Sequence, residues 1–124
     1  MRQQAPKKNT NRIEKVNSLI QQILGQIMLP YLKSISGIVT IRKVETSRDL
    51  RWAKVWITIV DADDEATLNY LKNNIYDIQG ELNRAVEMKI VPRISFHLDT
   101  TARYAQHIDE VFKRITEEQK DDER

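Results

Sequence analysis

The chain has no cysteine and only three glycines among its 124 residues. The missing thiols exclude disulfides, thiolate nucleophiles and cysteine metal sites. None of the glycines, Gly25, Gly37 and Gly80, stands in a G-x-x-x-x-G-K or G-x-G-x-x-G phosphate loop, which disfavours a nucleotide-driven enzyme. No apolar run approaches the roughly 18 residues of a membrane span, and the polar first residues lack the apolar core of a signal peptide. These absences predict a cytoplasmic protein without a membrane segment.

The proportions of apolar and charged residues are those of a folded protein. Apolar residues make up 40% and charged residues 31% of the sequence, which is too apolar for a disordered chain. The length suits one domain with one core and is too short for two. We predict a flexible basic arm over residues 1–10, a folded domain over 11–100, a C-terminal helix over 101–116 and a charged tail over 117–124.

Charge is divided unevenly along the chain, although the net charge is only +2. Residues 1–60 hold 11 lysines and arginines against 3 acidic residues, whereas residues 61–124 hold 9 basic and 15 acidic residues. A basic surface attracts phosphate backbones because binding releases condensed counterions. The basic half therefore favours a nucleic-acid partner, and the alternative is an ordinary solvated face.

Hydrophobic periodicity predicts a long first helix and a β-hairpin. From Asn11, the expected N-cap, apolar residues recur every three or four positions up to Met28, and Pro30 marks the end of the helix. Residues 38–46 and 52–60 are rich in β-branched and aromatic residues and should pair as antiparallel strands. Alternation in the second strand separates a core face from an outer face. The core face has Ala53, Val55, Ile57 and Ile59, and the outer face has Trp52, Lys54, Trp56 and Thr58.

A second helical pattern starts near Asp63 and is too long to be one helix in a domain of this size. We expect a break at the weak helix formers Asn73-Asn74 or at Gly80. Its predicted apolar face consists of Leu68, Leu71, Ile75, Ile78, Leu82, Ala85 and Val86. Residues 93–98 alternate as a third strand, and residues 102–118 have the spacing of a last helix. This order predicts an α+β fold, in which helices pack on one face of a three-stranded sheet and leave the other face open.

Few groups in the sequence could converge for catalysis. His97 and His107 have no cysteine partners and no H-E-x-x-H spacing, so a zinc site is disfavoured. Asp61, Asp63 and Asp64 could bind magnesium, as a ribonuclease would require, but beside a helix start they are better explained as capping residues. We therefore predict no enzymatic activity, no metal and no cofactor.

The densest group of basic residues falls on the hairpin and is interleaved with two tryptophans. It consists of Arg42, Lys43, Arg48, Arg51 and Lys54, with Trp52 and Trp56 among them. Guanidinium groups and indoles stack on bases while the charges hold phosphates, so this arrangement is typical of RNA binding. The alternative is that the tryptophans pack under the C-terminal helix or at the edge of the sheet.

Three segments resemble the bacterial ribosome-binding factor A family. The family's central hairpin is resembled by Val39-Thr40-Ile41 followed by Val44-Glu45-Thr46-Ser47-Arg48-Asp49-Leu50-Arg51-Trp52-Ala53-Lys54-Val55-Trp56-Ile57. Leu71-Lys72 together with Ile90-Val91-Pro92-Arg93-Ile94-Ser95-Phe96 resembles its second signature, and Asn11-Arg12-Ile13-Glu14-Lys15-Val16 is a third match. The likeness covers roughly residues 11–100.

The resemblance implies a type II KH-like domain that binds the 30S small ribosomal subunit and its 16S rRNA and assists late maturation of that RNA. It also implies an Ala-x-Gly kink in place of the usual KH loop, here at Asn74-Ile75-Tyr76, which differs at both defining positions. We expect a monomer, with an assembly GTPase considered as a second partner. The alternative function is a protein-interaction adaptor that uses the open sheet face. The predicted RNA-binding residues are Arg12, Lys15, Arg42, Lys43, Arg48, Arg51, Lys54, Asn74, Ile75, Tyr76, Arg84, Lys89 and Arg93.

Overall fold

The computed structural model describes residues 4–101, with side chains from Asn11 onward. The predicted C-terminal helix beyond Thr101 and the charged tail lie outside the described residues. The elements are α1 (Gln4–Ile27), α2 (Leu29–Leu32), β1 (Ile38–Thr46), β2 (Trp52–Val60), α3 (Asp64–Asn73), α4 (Ile75–Ala85) and β3 (Arg93–Leu98). None of the described helices is long and apolar enough to cross a membrane.

Helix α1 starts earlier than the sequence predicts. It begins at Gln4, so Asn11 is not its N-cap and residues 4–10 of the predicted flexible arm are helical. The physical reason is that glutamine, alanine and lysine favour helix, and Pro6 falls in the first turn, where its missing N–H costs nothing. Pro30 likewise lies in the one-turn helix α2 instead of ending the helical segment. The buried stripe of this segment is Val16, Ile20, Leu24 and Met28.

The predicted hairpin is confirmed, with both strands at the expected bounds. The two strands pair in antiparallel register along their whole length. A bulge between Ile41 and Lys43 leaves Arg42 without a partner in that register. The residues expected on the core face of β2 are all buried, namely Ala53, Val55, Ile57 and Ile59.

Two polar side chains attach α1 to β1. The backbone N–H of Thr46 donates to Oδ1 of Asn17 at 2.8 Å. One turn later, Nε2 of Gln21 donates to the carbonyl oxygen of Ile41 at 3.2 Å. Because the helix and the strand run in opposite directions, the part of α1 before Asn17 lies at the turn end of the hairpin.

The long helical pattern breaks at Asn74, one of the positions predicted, and α3 and α4 follow each other across it. Asp63 caps α3, since its Oδ1 accepts the backbone N–H of Ala66 at 2.8 Å. The buried residues of the expected apolar face are Leu71, Ile78, Leu82 and Val86. Ala85 is exposed, which corrects its predicted place on that face. The buried stripe of α4 advances four residues at a time, and this spacing leaves Ala85 beside it.

Strand β3 lies next to β2 and runs parallel to it, so the sheet is mixed with the order β1-β2-β3. Gln79 on α4 holds the start of β3. Its Oε1 accepts the backbone N–H of Ile94 at 2.8 Å, and its Nε2 donates to the carbonyl oxygen of Pro92 at 3.1 Å. The predicted α+β fold, with a three-stranded sheet and helices on one face, is confirmed. Its element order is that of the expected KH-like domain with the short α2 added.

Gly37, which precedes β1, gives a steric prediction. A Cβ at this position would lie 2.7 Å from the carbonyl carbon of Asp61 and would also meet the backbone oxygen of Val60. Gly37→Ala should therefore lower the free energy of unfolding by about 1–3 kcal/mol, because backbone must shift to admit the methyl group. Gly25→Ala is the control: nothing lies within 4 Å of its new Cβ, and helix propensity should raise stability by about 0.5–1 kcal/mol. Urea denaturation measures both, and equal stabilities would contradict the close packing at Gly37.

Candidate nucleic-acid interface

The turn between β1 and β2 is built by two short polar side chains. Oγ of Ser47 donates to Oδ1 of Asp49 at 2.6 Å and accepts the backbone N–H of Trp52 at 3.1 Å. The same carboxylate oxygen accepts the backbone N–H of Arg51 at 3.2 Å. This network leaves Arg48 and Arg51 exposed at the tip of the hairpin. Their long side chains stay hydrated there and can reach a phosphate.

Leu50 completes the turn in a conformation that few leucines adopt. Its φ of 59° lies in the left-handed region, which costs an L-residue about 1–2 kcal/mol. The side chain is half-buried and packs against the core. Its backbone N–H donates to the carbonyl oxygen of Ser47 at 3.0 Å. These contacts offset the strain, so the tip has one defined shape.

The face of the sheet turned away from the helices carries aromatic and basic side chains. Alternate residues of each strand point to this side because their neighbours fill the core. We call these residues the outer face: Lys43 and Glu45 of β1, Trp52, Lys54 and Trp56 of β2, and Arg93, Ser95 and His97 of β3. In the register of the strands, Trp56 lies between Lys43 and His97.

Each tryptophan of the outer face contacts a cation. Nζ of Lys43 lies 5.6 Å from the ring centroid of Trp56, and Cζ of Arg93 lies 5.6 Å from that of Trp52, distances that suit cation–π attraction. The side chain of Trp52 nevertheless remains 56% exposed. The alternative that the tryptophans lie at the sheet edge is wrong, because β2 is the central strand. The alternative that they pack under the C-terminal helix involves residues outside the described part of the chain.

Trp56 also packs against His97. Their ring centroids are 5.1 Å apart with an interplanar angle of 38°. Partial burial, helped by the charges of Lys54 and Lys72, lowers the pKa of His97 below 6.5, so the neutral imidazole is favoured at pH 7. Nε2 of His97 shares a hydrogen bond of 2.8 Å with Oγ of Ser95. Among the described residues, the buried indole N–H of Trp56 has no hydrogen-bond partner, which costs about 1–3 kcal/mol.

A separate open groove of about 730 Å³ lies beside α4. Tyr76, which is 87% exposed, lines it together with Ile75, Arg84 and Arg93. Asp77 and Glu81 line it too, so its charge is mixed and suits phosphate less well than the outer face. Across the groove, the hydroxyl of Tyr31 donates to Oε2 of Glu81 at 3.0 Å. Burial and that carboxylate raise the pKa of Tyr31, which keeps the phenol protonated.

Comparison with known proteins shows which family has sequences similar to this chain. The family model of ribosome-binding factor A matches residues 12–112. The chain belongs to the ribosome-binding factor A family. A relative of that name from Citrifermentans bemidjiense is 34% identical over 110 residues, which cover 84% of this chain and 90% of the relative.

Solved structures of ribosome-binding factor A share the fold. The crystal structure of the Thermus thermophilus protein has a TM-score of 0.63 at 19% identity and covers 69% of this chain and 94% of that chain. A homology model of the Thermus thermophilus factor, fitted into the cryo-EM map of its 30S complex, has a TM-score of 0.57 at 20% identity. It covers 67% of this chain and 90% of that chain.

The structure brings many of the predicted RNA-binding residues of this family member to one end of the sheet. The backbone N–H of Arg93 donates to the carbonyl oxygen of Arg51 at 2.8 Å, although the two residues are far apart in sequence. Arg12 and Lys15 are exposed on the part of α1 that lies at the same end. The predicted residues of the hairpin are all exposed, namely Arg42, Lys43, Arg48, Arg51 and Lys54.

The remaining predicted residues lie elsewhere. Ile75, Tyr76 and Arg84 belong to the groove beside α4, and Lys89 is exposed in the loop between α4 and β3. Arg93 is common to both regions, since it lines the groove and also contacts Trp52.

Sequence reasoning missed His97 as a member of the outer face. Its position follows from alternation along β3, because His97 has the same parity as Arg93. That signal could have placed the two on one face. It could not have placed them beside the tryptophans, because the parallel pairing of β2 and β3 is a tertiary feature.

The kink at Asn74 survives in this member of the ribosome-binding factor A family without the family's alanine and glycine. Asn74 leaves the helical conformation with φ −100° and ψ 7°, and its Nδ2 donates to the carbonyl oxygen of Tyr70 at 2.8 Å. The same carbonyl also accepts the backbone N–H of Asn74 at 3.2 Å, so the side chain adds a second donor at the end of α3.

This hydrogen bond predicts opposite effects for two neighbouring asparagines. Asn74→Ala should lower the free energy of unfolding by about 0.5–1.5 kcal/mol, because the carbonyl of Tyr70 loses the shorter of its two hydrogen bonds. Asn73→Ala, exposed in the last turn of α3, should raise it by a few tenths of a kcal/mol through helix propensity. Chemical denaturation of both variants tests this, and an Asn74→Ala protein as stable as the parent would show that the side-chain bond contributes nothing.

The turn network predicts an altered titration. The pKa of Asp49 lies below its ordinary value of 3.8, mainly because Ser47 donates to the carboxylate and secondarily because the backbone N–H of Arg51 does. The ionised carboxylate thus stabilises the turn fully at pH values above its ordinary pKa. This stabilisation is lost as the pH falls through the lowered pKa of the folded protein. Ser47→Ala should move the pKa of Asp49 up towards 3.8 in an NMR titration. Asp99, whose pKa is lowered mainly by the backbone N–H of Thr101, should not move.

Proposed function

We propose that this chain binds the small ribosomal subunit through its 16S rRNA and assists late maturation of that RNA. The observation that carries the proposal is that cations from separate segments meet at the turn end of the sheet. Arg48 and Arg51 come from the turn, and Arg93 comes from β3. Membership of the ribosome-binding factor A family supports the proposal, as does the 30S complex of the Thermus thermophilus relative.

The local charges favour phosphate as the group that is bound. The two acidic residues of the hairpin are both engaged within it. Glu45 forms an ion pair with Lys43 at 3.3 Å, and Asp49 accepts the hydrogen bonds of the turn. Asp49 is itself exposed between Arg48 and Arg51, so the tip carries two cations and one hydrogen-bonded carboxylate. A phosphate backbone supplies the opposite charge and releases counterions on binding.

The proposed activity is binding without catalysis. Of the aspartates considered for a metal, Asp63 is used as the N-cap of α3. His97 packs at a tilt against Trp56 and favours its neutral form, which suits a packing role. We further propose that the protein acts as a monomer in the cytosol, with an assembly GTPase as a candidate second partner.

Sedimentation with ribosomal particles tests the proposal. The protein should co-sediment with free small subunits and not with mature 70S ribosomes. Its affinity should fall with salt, with a log–log slope of about −3.5 to −4.5 for roughly five phosphate contacts. A slope near zero would remove RNA as the ligand and would favour the protein-interaction adaptor.

Charge reversal at the tip separates this surface from the rest of the chain. Arg48→Glu with Arg51→Glu should weaken small-subunit binding and reduce the magnitude of the salt slope by about two, one unit for each lost phosphate contact. Each change should alter stability by no more than about 0.5 kcal/mol, since both side chains are exposed. Lys33→Glu with Lys72→Glu changes the net charge equally at exposed positions outside the proposed surface and should keep the parent slope. If the two double variants bind equally well, the proposed surface is wrong.

A further inference from the structure

The chain has two tryptophans, and both belong to the outer face. Trp52 and Trp56 are four residues apart on one strand, with Lys54 pointing to the same side between them. At about 3.3 Å per residue, the two positions are roughly 13 Å apart. Two aromatic surfaces with a cation between them therefore follow the central strand of the sheet.

The surroundings of the two rings are cationic. Arg93 contacts Trp52, and Lys43 contacts Trp56. Glu45 is the acidic residue among those that define the outer face, and it is paired with Lys43. An exposed apolar side chain set among cations is poorly suited to an apolar protein partner, since the lysines and arginines would have to be desolvated. It suits a ligand that has flat rings and negative charges together.

We propose that the outer face binds an extended, unpaired segment of RNA, with one base stacked on Trp52, another on the Trp56–His97 pair and a phosphate at Lys54. The inference rests on the proposed RNA-binding function and adds the structural class of the RNA. Bases in a duplex are stacked on each other at about 3.4 Å, so neighbouring bases cannot occupy sites some 13 Å apart. An extended strand with its bases splayed out can do so.

Intrinsic fluorescence tests the proposal directly, because no tryptophan lies outside the outer face. The full chain is titrated with an unpaired adenine octamer and, separately, with a blunt RNA duplex of the same length. The octamer should quench the emission, and the duplex should bind in a salt-dependent manner with little quenching. Trp56→Phe and Trp52→Phe, which each leave one tryptophan, should both still show tryptophan emission that the octamer quenches.

Substitution of Trp52 gives the affinity test. Trp52→Ala should weaken octamer binding roughly tenfold, as the loss of one stacked base implies, and leave duplex binding unchanged. Trp52→Phe should restore much of the affinity because its ring can still stack. Leu29→Ala removes an apolar side chain of similar exposure, 59%, outside the outer face and should bind the octamer like the parent. The urea midpoint of Trp52→Ala, measured alongside, confirms that the variant is folded.

The outcomes separate this inference from the proposed function. The protein could bind small subunits with a steep salt slope while the octamer does not quench its emission and octamer affinity does not depend on Trp52. In that case the stacking site is wrong and the RNA-binding proposal stands. If neither small subunits nor any RNA is bound, the proposed function fails as well. Quenching by ribosomal proteins stripped of RNA, in the absence of quenching by the octamer, would assign the outer face to a protein partner and overturn the inference.

Discussion

Burial of one side of β2 is the constraint on which the rest of the structure depends. Ala53, Val55, Ile57 and Ile59 are almost completely excluded from solvent, at 1% exposure or less. Each fully buried branched aliphatic side chain contributes about 1.5–3 kcal/mol, so a shift of the register by one residue would lose several such contributions at once. Because neighbouring residues of a strand point in opposite directions, the same burial forces Trp52, Lys54 and Trp56 to the opposite face. The residues of the candidate interface therefore lie on the face of β2 opposite the core.

The mixed sheet adds what β2 alone could not provide. Parallel pairing brings the start of β3 to the turn end of the hairpin, where Arg93 meets Arg51. Gln79 secures this arrangement by bonding the backbone on both sides of Arg93. A side-chain amide from α4 therefore helps to fix the position of a cation on the outer face. Gln79 thus connects the packing of α4 to the position of Arg93 on the outer face.

The junction of α3 and α4 shows how one structural role can be met by different chemistry. The resemblance implies an Ala-x-Gly kink, whereas in this chain the amide of Asn74 donates to a carbonyl of α3. The change brings an exposed tyrosine, Tyr76, to the place of the glycine. Its bulk prevents the close backbone approach that glycine allows, and acidic residues line the groove beside it. The acidic lining and the exposed tyrosine make this junction less suited to phosphate than the hairpin, whose basic residues are exposed.

Local patterns in the sequence determined the strands, the hairpin, the core face of β2 and the break near Asn74, because alternation, helical spacing and propensity act over a few residues. The basic character of the hairpin was likewise readable, since charged side chains so close together have no room in the core. Tertiary structure alone decided that β3 pairs parallel with β2, that His97 packs against Trp56 and that Ala85 lies outside the buried stripe. It also showed that α1 extends back to Gln4. These features depend on contacts between segments far apart in sequence, or on weak preferences summed over a turn of helix, and neither leaves a periodic signal in the chain.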